Sequence, residues 1–305
     1  MLSSTRESDM AEVIANTIRP GVAEGLWRDA VRRLRRNRLA MLGGFFIAVF
    51  VLTALLAPVL APYPPNAGSL ADSLQPPSLA HLMGTDIQGR DEFSRVLYGA
   101  RLSLAVGFAA VAIAVLLGGV IGALAGGAGG AVDTILMRVI DVFLAIPGIL
   151  LAIGIVAFLD RGLMQVTCAV AVANAPIFAR LLRGSLIAVR ETDYVLAARS
   201  VGLSRLRILL LHMLPNAMTP LIVAATLAFG TAIIDVAGLG FLGLGPPDPR
   251  IAEWGTMLQD STRFLRSAQY LIFFPGAAIM ISVIGFTLLG DGLREAIDPK
   301  ANKRP

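Results

Sequence analysis

One cysteine, two histidines and two lysines are all that this 305-residue chain contains of those types, and each scarcity removes a class of chemistry. Cys168 alone cannot form an intrachain disulfide, and His81 and His212 lie far from it and from each other, so no local metal-ligand cluster exists. Lys300 and Lys303 sit at the carboxyl end, so GK[ST] occurs nowhere and the chain carries no P-loop. Any ATP that drives this protein is hydrolysed by another subunit. Charge is also scarce, at 15% of residues, against 56% hydrophobic residues and 31 glycines. That balance describes an all-α polytopic membrane protein rather than a soluble enzyme.

The apolar runs and the arginines between them set a topology of six spans. Residues 1–38 read as a cytoplasmic tail that ends in Arg28, Arg32, Arg33, Arg35, Arg36 and Arg38. A run of about twenty residues follows, 39–61, long enough to span and too long for the h-region of a signal peptide. The arginines before it are a positive-inside signal rather than a nucleic-acid contact. Residues 62–101 form an outer segment, in which Asp91 opens a short amphipathic helix expected to lie along the interface. The second span covers about Leu102 to Gly126, with Gly118, Gly119, Gly122 and Gly126 suited to close helix packing. The third, about Leu136 to Leu159, is broken at Pro147-Gly148; the fourth, about Leu163 to Leu182, contains Pro176. The fifth covers about Ala217 to Gly243. An outer segment with Trp254 as an interface anchor precedes the sixth, about Tyr270 to Leu289, which is expected to break at Pro275-Gly276. Residues 102–291 make the core, and 292–305 a cytoplasmic tail. Both termini lie inside, where the arginines from Arg180 to Arg207 also fall.

Between the fourth and fifth spans, residues 190–216 are too charged for lipid and carry helical grammar. Thr192 and Asp193 can cap a first helix on which Tyr194, Ala197, Ala198 and Val201 share a face. Gly202 permits a left-handed turn, and Ser204 can cap a second helix with Leu206, Leu209, Leu210 and Met213 as its apolar stripe. Pro215 is expected to push Leu214 out of the helical region. A helix, a tight turn and a helix at the membrane surface make a docking lug for a soluble partner; the simpler reading is an amphipathic surface loop.

Ala197-Ala198, Gly202 and Leu214-Pro215 resemble the EAA loop of importer-type ATP-binding-cassette (ABC) permeases. GTDIQGRD, FLGLGPP with EWGTML, and LLGDGLREAIDPK resemble the C-type inner-membrane permease of dipeptide and oligopeptide importers in the peptide/nickel family. The resemblance covers roughly residues 30 to 300. It implies a permease fold of five core helices after a peripheral first helix, in a bacterial inner membrane. It also implies a homologous second permease, two ATPase subunits that carry the ATP and magnesium, and an extracytoplasmic binding protein that delivers peptide. No cofactor is expected on this chain. By the same resemblance Glu191, Asp193, Tyr194, Leu196, Ala197, Ala198, Arg199, Gly202, Leu214 and Pro215 face the ATPase. The departure is Leu196, where the family has an acid; Glu191 or Asp193 can substitute, or Leu196 fills an apolar socket.

Asp235 is an ionisable residue inside a span, which makes a functional role the default reading, with a hydrated or packing role beside it. With Pro147 and Pro176 it is a candidate for the pathway. Within the family, a nickel chelate, an opine or an antimicrobial peptide remains open as the cargo. An ion-driven carrier is disfavoured by the lack of an evident internal repeat and by the few ionisable residues, Asp141 and Asp235 with Arg138 near an end. A membrane hydrolase is disfavoured because serine and histidine never approach a nucleophile–base arrangement.

Overall fold

The computed structural model describes residues 31–297, which are helical apart from short turns and two isolated β-bridges in the outer segment. Most of residues 1–38 and the end of the tail, 298–305, lie outside the described residues. Helix α1 (Arg38–Leu60) starts where Asn37 Oδ1 accepts the Leu39 and Ala40 amides. The side-chain oxygen thereby satisfies donors that the first turn leaves free. Then come α2 (Glu92–Ala128), α3 (Gly130–Leu144), α4 (Gly148–Leu159) and α5 (Leu163–Arg190). After them lie α6 (Asp193–Ser200), α7 (Arg205–Ile208), α8 (Leu214–Leu239), α9 (Trp254–Ser261) and α10 (Tyr270–Ile297). Five stretches are long and apolar enough to cross a membrane, or six if α3 and α4, bent by 90° at Pro147, count as one broken span.

The main packing axis is α2 against α5, and glycine makes it close. A Cβ on Gly122 would lie 2.6 Å from the Ala179 carbonyl, and one on Gly126 2.9 Å from Leu186 Cβ; Gly118 meets the Ala175 carbonyl in the same way. These three positions recur every four residues, so they share one face of α2. Gly119 has nothing within 4 Å and takes no part. Around this seam Phe178, Leu182 and Leu186 of α5 are buried with Val111 of α2 and Leu221 and Leu239 of α8. Small residues also dock α1 on α10: a Cβ on Gly43 would come within 2.6 Å of the Gly285 carbonyl, and Gly292 faces Ala40. In lipid, where apolar burial gives little drive between helices, this close fit supplies the attraction.

Four expectations need correction. The amphipathic helix that begins after Asp91 does not end before the second span. It is the start of α2, whose 37 residues extend about 55 Å at a rise of roughly 1.5 Å each, against a hydrocarbon core of about 30 Å. Nothing interrupts the backbone ladder between Ala100 and Leu102, and Gly99 within it is held by Trp254, whose ring lies where a Cβ would be. Secondly, Trp254 is no interface anchor: it is fully buried, and its indole N–H donates to the Val96 carbonyl at 3.1 Å. Thirdly, Pro275 does not break the sixth span, because it falls early in α10 with its ring buried and the helix continues to Ile297. Lastly, residues 292–297 belong to that helix rather than to a tail, and Glu295 accepts from Asn37 Nδ2 at 2.7 Å.

Candidate coupling loop and membrane carboxylate

The loop after α5 is built around its glycine. Gly202 has φ +84°, in the left-handed region that L-residues avoid. Its amide donates to the Arg199 carbonyl at 2.9 Å, and the Leu203 amide donates to the Ala198 carbonyl at 3.2 Å. This bond pair is a Schellman motif: it satisfies the last carbonyls of α6 and turns the chain sharply. Ala198 and Leu203 then pack together on the buried core, as the motif favours. Ser204 caps the next helix through a long 3.4 Å bond from the Arg207 amide. At the other end, Thr192 occupies the N-cap position of α6 without a side-chain cap bond. Its hydroxyl instead donates to the Val189 carbonyl at 2.6 Å, so the expected cap is replaced by a tie back to α5.

The inward faces differ from the expected ones. Val195 is the fully buried residue of α6, with Ala198 half-buried beside it, while Tyr194, Leu196, Ala197 and Arg199 are exposed and Val201 is 83% exposed. On the next helix Ile208 and Met213 point inward, and Leu206 is 65% exposed. The expected stripe of Leu206, Leu209, Leu210 and Met213 is therefore split, with Leu206 and Leu210 left outside. Glu191 and Asp193 are exposed at the entrance. An apolar surface interleaved with Arg199, Arg205 and Arg207 is left without a partner inside the chain, which suits an interface with another protein.

Pro215 does not end the second loop helix. Leu214 keeps helical angles (φ −59°, ψ −48°), and the chain runs from Arg205 to Leu244 without leaving helical form before Gly243. The physical device is a π-helical turn over Leu209–Met213, in which the Leu214 amide bonds the Leu209 carbonyl. This wider register accommodates a proline that lacks a donor and would crowd the carbonyl four residues back. Asn216 Nδ2 also donates to the His212 carbonyl at 2.7 Å. The loop is thus joined to α8 without a hinge.

Inside the spans, Asp235 of α8 is half-buried and accepts from Asn174 Nδ2 of α5 at 3.4 Å, a long bond, while the same amide donates to the Val170 carbonyl at 2.9 Å. Asp141 of α3 is ion-paired with Arg180 of α5, and Asp133 holds Arg183 through two bonds of 2.7 and 3.0 Å. These pairs lock α3 to α5 near the loop. They leave Asp235 as the span carboxylate without a cationic partner among the described residues. Pro147 is exposed at the 90° bend, and Pro176 is buried within α5 beside Ala175, which meets Gly118. Sequence patterning missed Asn174, because an asparagine four residues from its own acceptor carries no signal for a partner 61 positions away.

On the opposite side, Glu253 caps α9 through the Gly255 and Thr256 amides, both at 2.8 Å. Burial pushes its carboxyl above the usual range, opposed by those two amides and by Ser103. Arg90 pairs with Asp86 at 2.6 Å, and Arg95 approaches the same carboxylate at 3.6 Å. Arg250, expected among acids, makes no ion pair among the described residues and contacts Asp248 only through its backbone amide.

Comparison with known proteins agrees with this architecture. The family model described as binding-protein-dependent transport system inner membrane component matches residues 118–303, and the N-terminal TM domain of oligopeptide transport permease C matches 25–77. The chain is 47% identical to a dipeptide transport system permease protein of Alkalihalophilus pseudofirmus, covering 90% of each chain. It is 43% identical to a di/tripeptide transport system permease protein of Pseudomonas aeruginosa (87% and 89% covered) and 40% identical to the oligopeptide transport system permease protein of Bacillus subtilis (91% of each). In fold it resembles the MetNI methionine ABC transporter in inward-facing conformations, with TM-score 0.56 and 20% identity over 67% of this chain and 96% of that one. An amino acid ABC transporter gives TM-score 0.51 at 17% identity, covering 65% and 92%.

Proposed function

The chain belongs to the family of binding-protein-dependent transport system inner membrane components, and from that premise we propose that it is a permease subunit of an ABC importer for dipeptides or oligopeptides. The observation that carries the cargo class is the set of relatives at 40–47% identity, covering about nine-tenths of both chains, whose names specify dipeptide, di/tripeptide and oligopeptide transport. In this reading both termini face the cytoplasm, a homologous permease pairs with this one, and a binding protein delivers substrate from outside. Two ATPase subunits carry ATP and magnesium. No cofactor belongs to this chain.

The coupling residues are those of the 190–216 loop. An importer needs two arrangements of its bundles that lie close in free energy, with ATP binding favouring one of them. A lever that bends would dissipate the ATPase movement. The Schellman turn, the buried Val195 and the π-turn that continues into α8 support a rigid connection. Tyr194, Leu196, Ala197, Arg199 and Val201 supply the exposed contact, with Glu191 and Asp193 beside them and Leu196 in an apolar socket. Asp235 meets the ammonium end of peptides in the pathway, which bends at Pro147 and is shaped by Pro176 in α5.

The test is transport by the reconstituted four-subunit core with its binding protein, fed labelled dipeptides, longer peptides and nickel chelates. ATP-dependent uptake of peptides is expected. Uptake of chelates alone overturns the cargo, and uptake that follows an ion gradient without ATP overturns the mechanism.

A further inference from the structure

At the end of the bundle opposite the coupling loop, a cavity of about 290 Å³ opens between the loop before α2, the first turns of α2, α9 and the start of α10. The placement follows from packing: Gly126 near the carboxyl end of α2 meets Leu186 near the loop end of α5, so the amino end of α2 lies at the far side. The volume is at the lower limit of small-molecule pockets, about 300–1,000 Å³, the size of an amino acid or dipeptide. The GTDIQGRD stretch that forms one wall is held rigidly. Asp91 accepts from the Ser94 amide at 2.8 Å and contacts His81 at 2.9 Å, and Gly89 turns the chain at φ +71°.

The charges around this space do not close among themselves. Asp86 serves both Arg90, at 2.6 Å, and Arg95, at 3.6 Å, so one carboxylate faces two guanidiniums. Arg95 otherwise reaches only backbone carbonyls, at 3.3 and 3.4 Å. Glu92 lines the cavity, is 2% exposed, and its Oε1 has no hydrogen-bond partner. Asp260 and Arg263 line the mouth, and neither makes an ion pair among the described residues. A buried carboxylate oxygen without a donor is costly, and an extra guanidinium beside it asks for an anion. Burial also pushes the Asp260 carboxyl upward, opposed by Arg95 and Arg90, so a cation placed beside it would relieve that cost. Among the described residues no three histidine, cysteine or carboxylate side chains are grouped to hold a metal ion, which leaves an organic cation as the complement.

We propose that this outer cavity is a binding site for a small zwitterion, a free amino acid or dipeptide. Its ammonium sits between Glu92 and Asp260, and its carboxylate lies against Arg95 and Arg263. The site is separate from the Asp235 region and from the coupling loop, so it stands whether or not the cargo assigned above is right.

The experiment titrates glycylglycine into the purified full-length protein in lipid nanodiscs, without binding protein or ATPases, by calorimetry and saturation-transfer NMR. Saturable binding is expected. Blocking either end, as N-acetylglycylglycine or glycylglycine amide, weakens it by about tenfold or more, the scale of one lost charge-assisted bond. Glu92→Gln tests the buried group, and Asp260→Asn and Arg263→Gln test exposed positions whose replacement leaves the fold intact; each weakens binding, while Asp235→Asn leaves it within about twofold. Absence of saturable binding to the wild-type protein overturns the proposal. So does equal binding of blocked and free peptides, or loss of binding in Asp235→Asn with retention in Asp260→Asn and Arg263→Gln.

Discussion

Replacing Gly202 by valine isolates the backbone as the source of coupling. A Cβ at this position meets nothing within 4 Å, so no neighbour opposes a side chain. The whole cost comes from φ +84°, which disfavours an L-residue by about 1–2 kcal/mol, with β-branched residues at the upper end and asparagine well below it. Against that stand the two bonds of the turn, at 2.9 and 3.2 Å, each worth roughly 1 kcal/mol net. The penalty is therefore comparable to what holds the turn closed. An increase of about 5- to 30-fold in its open population is expected for Gly202→Val, several-fold for Gly202→Ala, and little for Gly202→Asn. The assay pairs amide exchange over residues 198–205 with ATPase affinity and substrate-stimulated ATP turnover in the reconstituted complex. Exchange should quicken at Gly202 and Leu203, and affinity or turnover should fall in the order asparagine, alanine, valine. If valine and asparagine behave alike, or if valine leaves exchange and turnover at wild-type levels, the loop is not a rigid lever.

Leu196→Glu should weaken ATPase binding by about 0.5–2 kcal/mol if the exposed Leu196 fills an apolar socket; tighter binding would show that the absent acid is a real deficit. Asp235→Asn should preserve assembly and basal ATP turnover yet reduce uptake of peptides with a free amino terminus more than of blocked ones; equal loss for both assigns Asp235 to packing. Gly122→Val would place a Cβ 2.6 Å from the Ala179 carbonyl and force α2 from α5, lowering stability by about 1–3 kcal/mol or more, read as a lower Tm of the detergent-purified protein. Trp254→Ala should cost about 3–5 kcal/mol by the same measurement, whereas a ring lying in the membrane interface would cost far less.

Much of the fold was legible because its causes are local. About twenty apolar residues in a row must be helical in lipid, since every backbone polar group needs a partner within the segment. Gly202 announced a turn because no other residue adopts a positive φ so cheaply, and the structure has it there. The close seam of α2 was signalled by glycines at four-residue spacing, though their spacing could not separate Gly118 and Gly122 from the unpacked Gly119. The loop helices show where local pattern fails. Their apolar residues are spread widely enough for several faces to qualify, and the choice of Val195, Ile208 and Met213 as the buried ones depends on where α5 and α8 stand.

The sequence by itself determined that the chain crosses a membrane, where it turns, that it carries no nucleotide-binding loop, and which stretch lies exposed between spans. These follow from composition, run length and single-residue conformational limits. Only the tertiary structure decided that α2 continues through the expected break, that Trp254 is buried under Gly99, that a π-turn carries the chain past Pro215, and that Glu92 is left unpartnered beside a cavity. Each of these depends on residues far apart in the chain or on how a helix shares its hydrogen bonds, and neither is written in the order of the amino acids nearby.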